Sequence, residues 1–506
     1  MSRELLTDGQ LSFKGGLNSA AADLNISPDE CRVLENCIID AFGSAEKRQG
    51  TKRISTAAIS GATTILGGYG WNRAGASNLQ VVSSNTDLFY TAFSAYPATW
   101  TTVAGTMSSS VRPSMKPFRD NASNEVLFIA DGGPLNFFSG TALTENIAGT
   151  PNATVLEVYN QRLFGITGSD QTLYYSKLND GTTLGSAAGG GGSAVVRTFS
   201  DQKLTGLAVL GDALLLFHVS GISLFRGYTQ DDINIAAGAA GVTSDVGTTS
   251  PQSIISLENQ VLFYSKRGIY SLSQSGQIRL ISQKINDQIA DGSLTDTQIA
   301  NIYARHHKGR REVWFYIPSK GVFVYKYEFD AWSGPFTGGY LSPNATTCIW
   351  EWEDANGVPG VMLGNNAAWV QACDVDGEYT DDVTSAGVAG AAYTAIVKTR
   401  RIYFDQPAFE KSFRWGALYA QLTADATVEW FTPAGNYSHT PEGTASWGYG
   451  VWGMGVWGGS EMEVFHIPLA GRGTYIQYQI SDSYDGAFKI VRIDANAFNM
   501  NRRAFV

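Results

Sequence analysis

The chain has 506 residues, a formal net charge of −10, 16% charged and 12% aromatic residues, and 56 glycines. The charged fraction lies well below the roughly 25% of ordinary globular domains, and there is no global basic field to draw nucleic acid or anionic membranes. No window approaches about 18 uninterrupted apolar residues, so no membrane-spanning helix is expected.

The opening MSRELLTDGQLSFKGG has no apolar core of signal-peptide length, and the chain reads as soluble and made in the cytoplasm. Residues 1–60 read as an irregular segment with one helical turn. Ser27 serves as N-cap, Pro28 takes the first position and Glu30 follows three residues after the cap. The basic run Lys47, Arg48, Lys52, Arg53 fits either a solvated strand end or a contact for phosphate or an acidic partner surface.

From about residue 61 to 375 one phrase recurs: an apolar strand, a tight polar or glycine turn, and a second apolar strand. It occurs at 79–90 (LQVVSSNTDLFY), 126–138 (VLFIADGGPLNFF), 163–175 (LFGITGSDQTLYY), 214–225 (LLLFHVSGISLF), 261–272 (VLFYSKRGIYSL), 313–325 (VWFYIPSKGVFVY) and 361–370 (VMLGNNAAWV). Starts roughly 40 to 50 residues apart are those of hairpins that each belong to one blade of a β-propeller. Most are preceded by another apolar segment, as in 155–159 (VLEVY), 207–210 (LAVL), 302–303 and 348–352 (CIWEW), while Pro117-Phe118 is a poor one. Each unit is therefore a meander of at least three strands, with room for a fourth. Such meanders bury their faces only by radial stacking, which leaves short sheet edges. Seven blades fit the count of hairpins, and six remain open.

Within this region the GGGGS run at 189–193 reads as a flexible loop tip, and residues 295–306 as a helix presenting Ile299, Ile302 and Tyr303 on one face. The acidic stretch at 374–382 (DVDGEYTDD) then forms a joint. Asp374, Asp376 and Asp381, with Glu378 and Asp382, offer oxygen ligands close in sequence; the alternatives are a cation site and a solvated acidic linker. Residues 376–506 lose the repeat but keep strand patterning, as at 413–422 (FRWGALYAQL) and 475–480 (YIQYQI), and read as a separate β-sandwich. A Trp-Gly repeat there places Trp447, Trp452 and Trp457 at equal intervals, for packing either on a neighbouring subunit or on the sandwich itself.

Chemical motifs are sparse. The two G-x-G-x-x-G matches at 448–453 and 453–458 neither follow a strand nor open a helix, and there is no G-x-S-x-G, P-loop or H-E-x-x-H. Cys31, Cys37, Cys348 and Cys373 form neither a disulfide framework nor a zinc pair. His218 lies inside an apolar strand and reads as a satisfied core residue. Propellers can hold carboxylate pairs in a central channel; Glu351, Glu353 and Asp354 are the candidates, against a solvated strand end. No catalytic group, cofactor or metal is expected, and the chain reads as a non-enzyme.

The N-terminal 42-residue stretch 13–54 resembles the opening of tail nozzle or hub proteins of short-tailed bacteriophages. The resemblance rests on Gly15-Gly16-Leu17-Asn18, Pro28, Leu34-Glu35-Asn36 and Lys47-Arg48-Gln49-Gly50-Thr51. It is supported by Tyr379-Thr380-Asp381-Asp382 running into IVKTRR at 396–401, by KSFRW at 411–415, and by the Trp-Gly repeat followed by GRGTYIQ at 471–477. The resemblance implies a structural virion protein of the tail, assembled in the host cytoplasm. It implies a ring of six identical subunits that extends the portal and adaptor channel, holds packaged double-stranded DNA and conducts it at ejection. Tail fibres or spikes would be further partners. Under this resemblance the two ends, with Lys47, Arg48, Arg53 and the three repeat tryptophans, make the subunit contacts. The acidic balance suits a wall on which DNA must slide without accumulating phosphate contacts. The competing reading is a carbohydrate-binding or carbohydrate-hydrolysing propeller for host recognition, with Trp350, Trp352 and Trp369 stacking on sugar rings.

Overall fold

The structure, a computed structural model, describes residues 5–73, 75–92, 97–107, 111–199, 202–227, 240–338, 341, 345–354, 357–382, 390–422, 426–441, 463–484 and 486–500. It is an all-β propeller joined to a β-sandwich. Every repeated hairpin of the sequence is the middle pair of a four-stranded antiparallel meander, and each upstream apolar segment, the poor one included, is its first strand. The first meander shows the pattern: Ile65–Trp71, Leu79–Ser84, Asp87–Thr91 and Thr101–Thr102 lie side by side, with Val82 facing Phe89. Pro117 is tolerated inside Ser114–Arg119 because that strand lies at the edge of its own sheet.

Six such sheets stand alone, as six blades. A seventh meander, Tyr303–His307 through Ala331–Phe336, has the same order but runs on at its outer strand into a ten-stranded sheet, where Leu34 faces Gly334. The two blade counts left open by the sequence thus differ only in how this fused meander is counted. Neighbouring blades are sealed by separate apolar layers. Trp71, Val81, Leu127 and Phe138 fill one, Phe164, Leu207, Leu216 and Phe225 another, and Phe217, Phe263 and Leu272 a third. Burial of each such side chain supplies about 1.5–3 kcal/mol before entropy is counted.

The N-terminal segment departs from the irregular expectation. Leu5–Gln10 pairs with Lys489–Asn499, Glu30–Glu35 with Ala395–Thr399, and Cys37–Ile39 with Ala45–Lys47. Thr51–Arg53 then supplies the fourth strand of the last blade, beside Val370–Cys373. Residues 5–53 are therefore woven through both other regions. The helical turn expected from Ser27 is a tight turn closed by the Glu30 N–H on the Ser27 carbonyl at 3.0 Å, and a separate 3-10 turn at Asp23–Asn25 precedes it. Half of the capping pattern is present, since Glu30 Oε2 accepts the Ser27 N–H at 3.0 Å. The chain then enters a strand, because Cys31 and Leu34 find a sheet partner and a core there and are fully buried.

The C-terminal strands, joined by N-terminal ones, form a sandwich of a seven-stranded sheet and the outer part of the ten-stranded one, with Leu418, Ile493, Val428 and Ile480 in a shared core. That core continues into the propeller through Phe315, Phe323 and Trp332. Two other expectations change. The helix spans only Asp296–Ala300, capped by Thr295 with a full capping box to Gln298; Tyr303–His307 is strand, because its partner Glu312–Ile317 lies alongside. The GGGGS run is packed as well. A Cβ on Gly191 would stand 2.1 Å from the Thr183 carbonyl oxygen, and Gly192–Val195 forms the outer strand of its blade.

Candidate functional site

The first strands of all seven meanders converge on one axial cavity of about 390 Å³. A propeller's first strands are its innermost, so charges set there meet across the axis. Lys116 on Ser114–Arg119 donates to both oxygens of Glu157 on Val155–Tyr159, at 2.9 Å each. Arg305 donates to the backbone and side-chain oxygens of Gln252 at 3.0 and 2.8 Å, and its burial pushes its pKa down. Glu351 Oε1 accepts the His306 backbone N–H at 3.1 Å, and Glu353 Oε2 accepts from Asn72 Nδ2 at 2.6 Å. Lys308 Nζ stands 3.8 Å from Glu351 and 4.0 Å from Glu353. Burial lowers the His306 pKa in spite of Glu351, and burial followed by Glu351 raises that of Tyr69.

Glu351 and Glu353 thus line the cavity, whereas Asp354 sits in the following turn and accepts the Val358 N–H. Lys116, Glu157, Arg305 and Lys308 escaped the sequence reading. Glu157 had a signal, a charged residue in the middle of the otherwise apolar strand VLEVY; Lys116 and Arg305 lie in more polar strands, and Lys308 follows its strand in a 3-10 turn. Of the aromatic candidates, Trp350 is buried and donates to Gln80 at 3.0 Å, Trp369 carries Arg53 4.0 Å over its ring, and Trp352 lines the cavity.

The basic run does not form an exposed contact surface. Lys47 and Arg48 are each 1% exposed. Lys47 donates to the Tyr484 carbonyl at 2.6 Å. Arg48 makes a two-pronged pair with Asp381 at 2.8 and 2.5 Å, donates to Asn36, and lies 3.7 Å over the Tyr393 ring. Arg53 is paired with Asp382. A desolvated guanidinium needs such partners, so these residues bind the N-terminal segment to the acidic joint.

The same pairing dismantles the cation candidate. Asp374 is taken by His307 and Arg310, Asp381 by Arg48, and Asp376 by Gln49 at 2.9 Å. Burial opposes the charge on Asp374, but the His307 and Arg310 partners outweigh it and hold its pKa below the usual carboxylate range. No three potential ligands gather among the described residues. All four cysteines are buried and unpaired with one another. His218 is buried, with Nε2 3.0 Å from Ser223 and Nδ1 3.3 Å from the Gln202 carbonyl, a satisfied core residue. Trp447, Trp452 and Trp457 lie outside the described residues.

A second feature is the outer face of the seven-stranded sheet. Leu5, Trp415 and Val464, on three of its strands, are 49, 44 and 48% exposed, and Phe42, in a hairpin turn of the same sheet, is 84% exposed. Among the described residues every exposed large aromatic (Phe42, Phe409, Trp415, Tyr484) lies outside the blades.

No family model and no curated protein matches the chain. The chain aligns with solved structures only at low identity and low TM-score. The extracellular domain of BT4673 from B. thetaiotaomicron, assigned to a hybrid two component system, is 11% identical over 78% of this chain and 47% of its own, with a TM-score of 0.44. That of BT3049 is 10% identical over 62% and 40%, at 0.41, and PorZ of Porphyromonas gingivalis 11% over 68% and 44%, at 0.38. The chain spans less than half the length of each. No helix among the described residues is long and apolar enough to cross a membrane.

Proposed function

We propose that the chain is a structural subunit of a phage tail nozzle, forming a ring through its sandwich. The sequence resemblance suggests the family, and the exposed apolar side chains of the seven-stranded sheet support the reading: Leu5, Trp415 and Val464 on its strands and Phe42 in a turn, set among polar neighbours such as Thr7, Asn496 and His466. The axial cavity is no DNA path. Its roughly 390 Å³ cannot pass a duplex about 20 Å across. In this reading the conduit runs between subunits, walled by several acidic chains.

Electron microscopy and native mass spectrometry of the purified protein test the proposal. The expected result is a closed ring, six-fold in the nozzle family, with an axial hole of about 20 Å. A strict monomer at virion-like concentration overturns it.

A further inference from the structure

We propose that the axial cavity is a binding site for the end of a neutral carbohydrate, held by Glu351, Glu353, Lys308 and Asn72 with the Trp352 ring as its apolar wall. This site is independent of the ring-forming sheet face. The volume, about 390 Å³, lies at the small end of ligand pockets and suits a terminal saccharide better than a polymer chain.

The charge pattern selects the ligand class. Lys116, Arg305 and Lys308 balance Glu157, Glu351 and Glu353, while burial favours the neutral form of His306. An anion or a cation would therefore meet repulsion as well as attraction. Two of the cations are committed, Lys116 to Glu157 and Arg305 to Gln252. Lys308 is not closed onto its carboxylates: separations of 3.8 and 4.0 Å exceed a direct hydrogen bond and leave room for a hydroxyl that accepts from the ammonium and donates to Glu351 or Glu353. These three side chains are also open to solvent, at 55, 31 and 32% exposure, so a ligand can reach them. A polyhydroxyl ring carries paired donors and acceptors on its edge and C–H groups on its face. That combination matches carboxylates and an ammonium beside an indole.

The test uses the full chain, fluorescently labelled, on an array of neutral, sialylated and phosphorylated oligosaccharides, followed by calorimetric titration of each hit. The inference expects a neutral glycan among the hits. It expects the affinity to fall about tenfold or more in Glu353→Gln and in Lys308→Ala, both at solvent-open positions, with an unchanged melting temperature. Trp352→Ala should weaken the same glycan. Absence of any neutral hit, hits confined to acidic glycans, or equal affinity in all three variants would overturn the inference. A ring without glycan affinity leaves the assembly proposal standing and removes this one; glycan affinity in a strict monomer does the reverse.

Discussion

Arg48 shows what a single buried charge requires in this fold. Its guanidinium is desolvated by the tip of the sandwich and the last blade, and Asp381 answers it with two hydrogen bonds. Replacing Asp381 by Asn strands the cation, so chemical denaturation should show a loss of about 3–5 kcal/mol. The double replacement Arg48→Met with Asp381→Leu removes both charges and should recover most of that loss. The buried thiols give a second residue-scale outcome. Burial pushes Cys348 up to about 11 and raises the other three as well. All four should ignore Ellman's reagent in the folded protein at pH 8 and react once it is denatured. His218 gives a third. Burial lowers its folded pKa, so below its ordinary value of about 6.5 the unfolded chain binds the extra proton and stability falls as pH drops. His306 acts in the same direction. The fall in unfolding free energy between pH 7 and 5 should shrink in His218→Gln.

At the scale of elements, the repeated hairpins carried their own evidence, because each blade's middle strands are buried on both faces and so are largely apolar. The hairpin at 126–138 needed no tertiary information to be read. The N-terminal strands did. Thr51–Arg53, read as part of a basic strand end or contact run, finds its place as a blade strand only because Val370–Cys373 presents an open edge more than 300 residues later. Arg48 and Asp381 were noticed separately and for the wrong reasons, since a buried pair across such a distance leaves no local pattern. Of the axial charges Glu157 alone stands isolated in an apolar first strand, and the convergence of all of them is a property of the ring. Gly50 marks where the N-terminal segment crosses the acidic joint. A Cβ there would stand 1.8 Å from the Thr380 carbonyl oxygen, while its N–H donates to Glu378 at 2.7 Å. Gly50→Ala should cost about 1–3 kcal/mol in thermal or chemical denaturation, with the blades themselves unaltered in sequence.

On the scale of the whole molecule, the work in the proposed assembly is divided between the blades and the seven-stranded sheet. The propeller closes on itself and leaves short edges, so it has little surface with which to bind copies of itself. The sandwich keeps Trp415 and Val464 on adjacent strands, with the Trp415 ring 6.3 Å from His466. Replacing Trp415 and Val464 together by Ser should convert an assembled ring to monomers in light scattering. The circular dichroism and melting of the subunit should stay close to those of the parent.

The strand that completes the last blade has a consequence for how the protein is made. Arg53 and its partner Asp382 are 329 residues apart, and every blade is translated between them. The closing segment emerges before any blade exists and must wait, unpaired, until the final blade leaves the ribosome. Contacts of such long sequence separation form late and slowly. A nascent chain therefore carries an open circle with two unpaired edges until the last blade has been made.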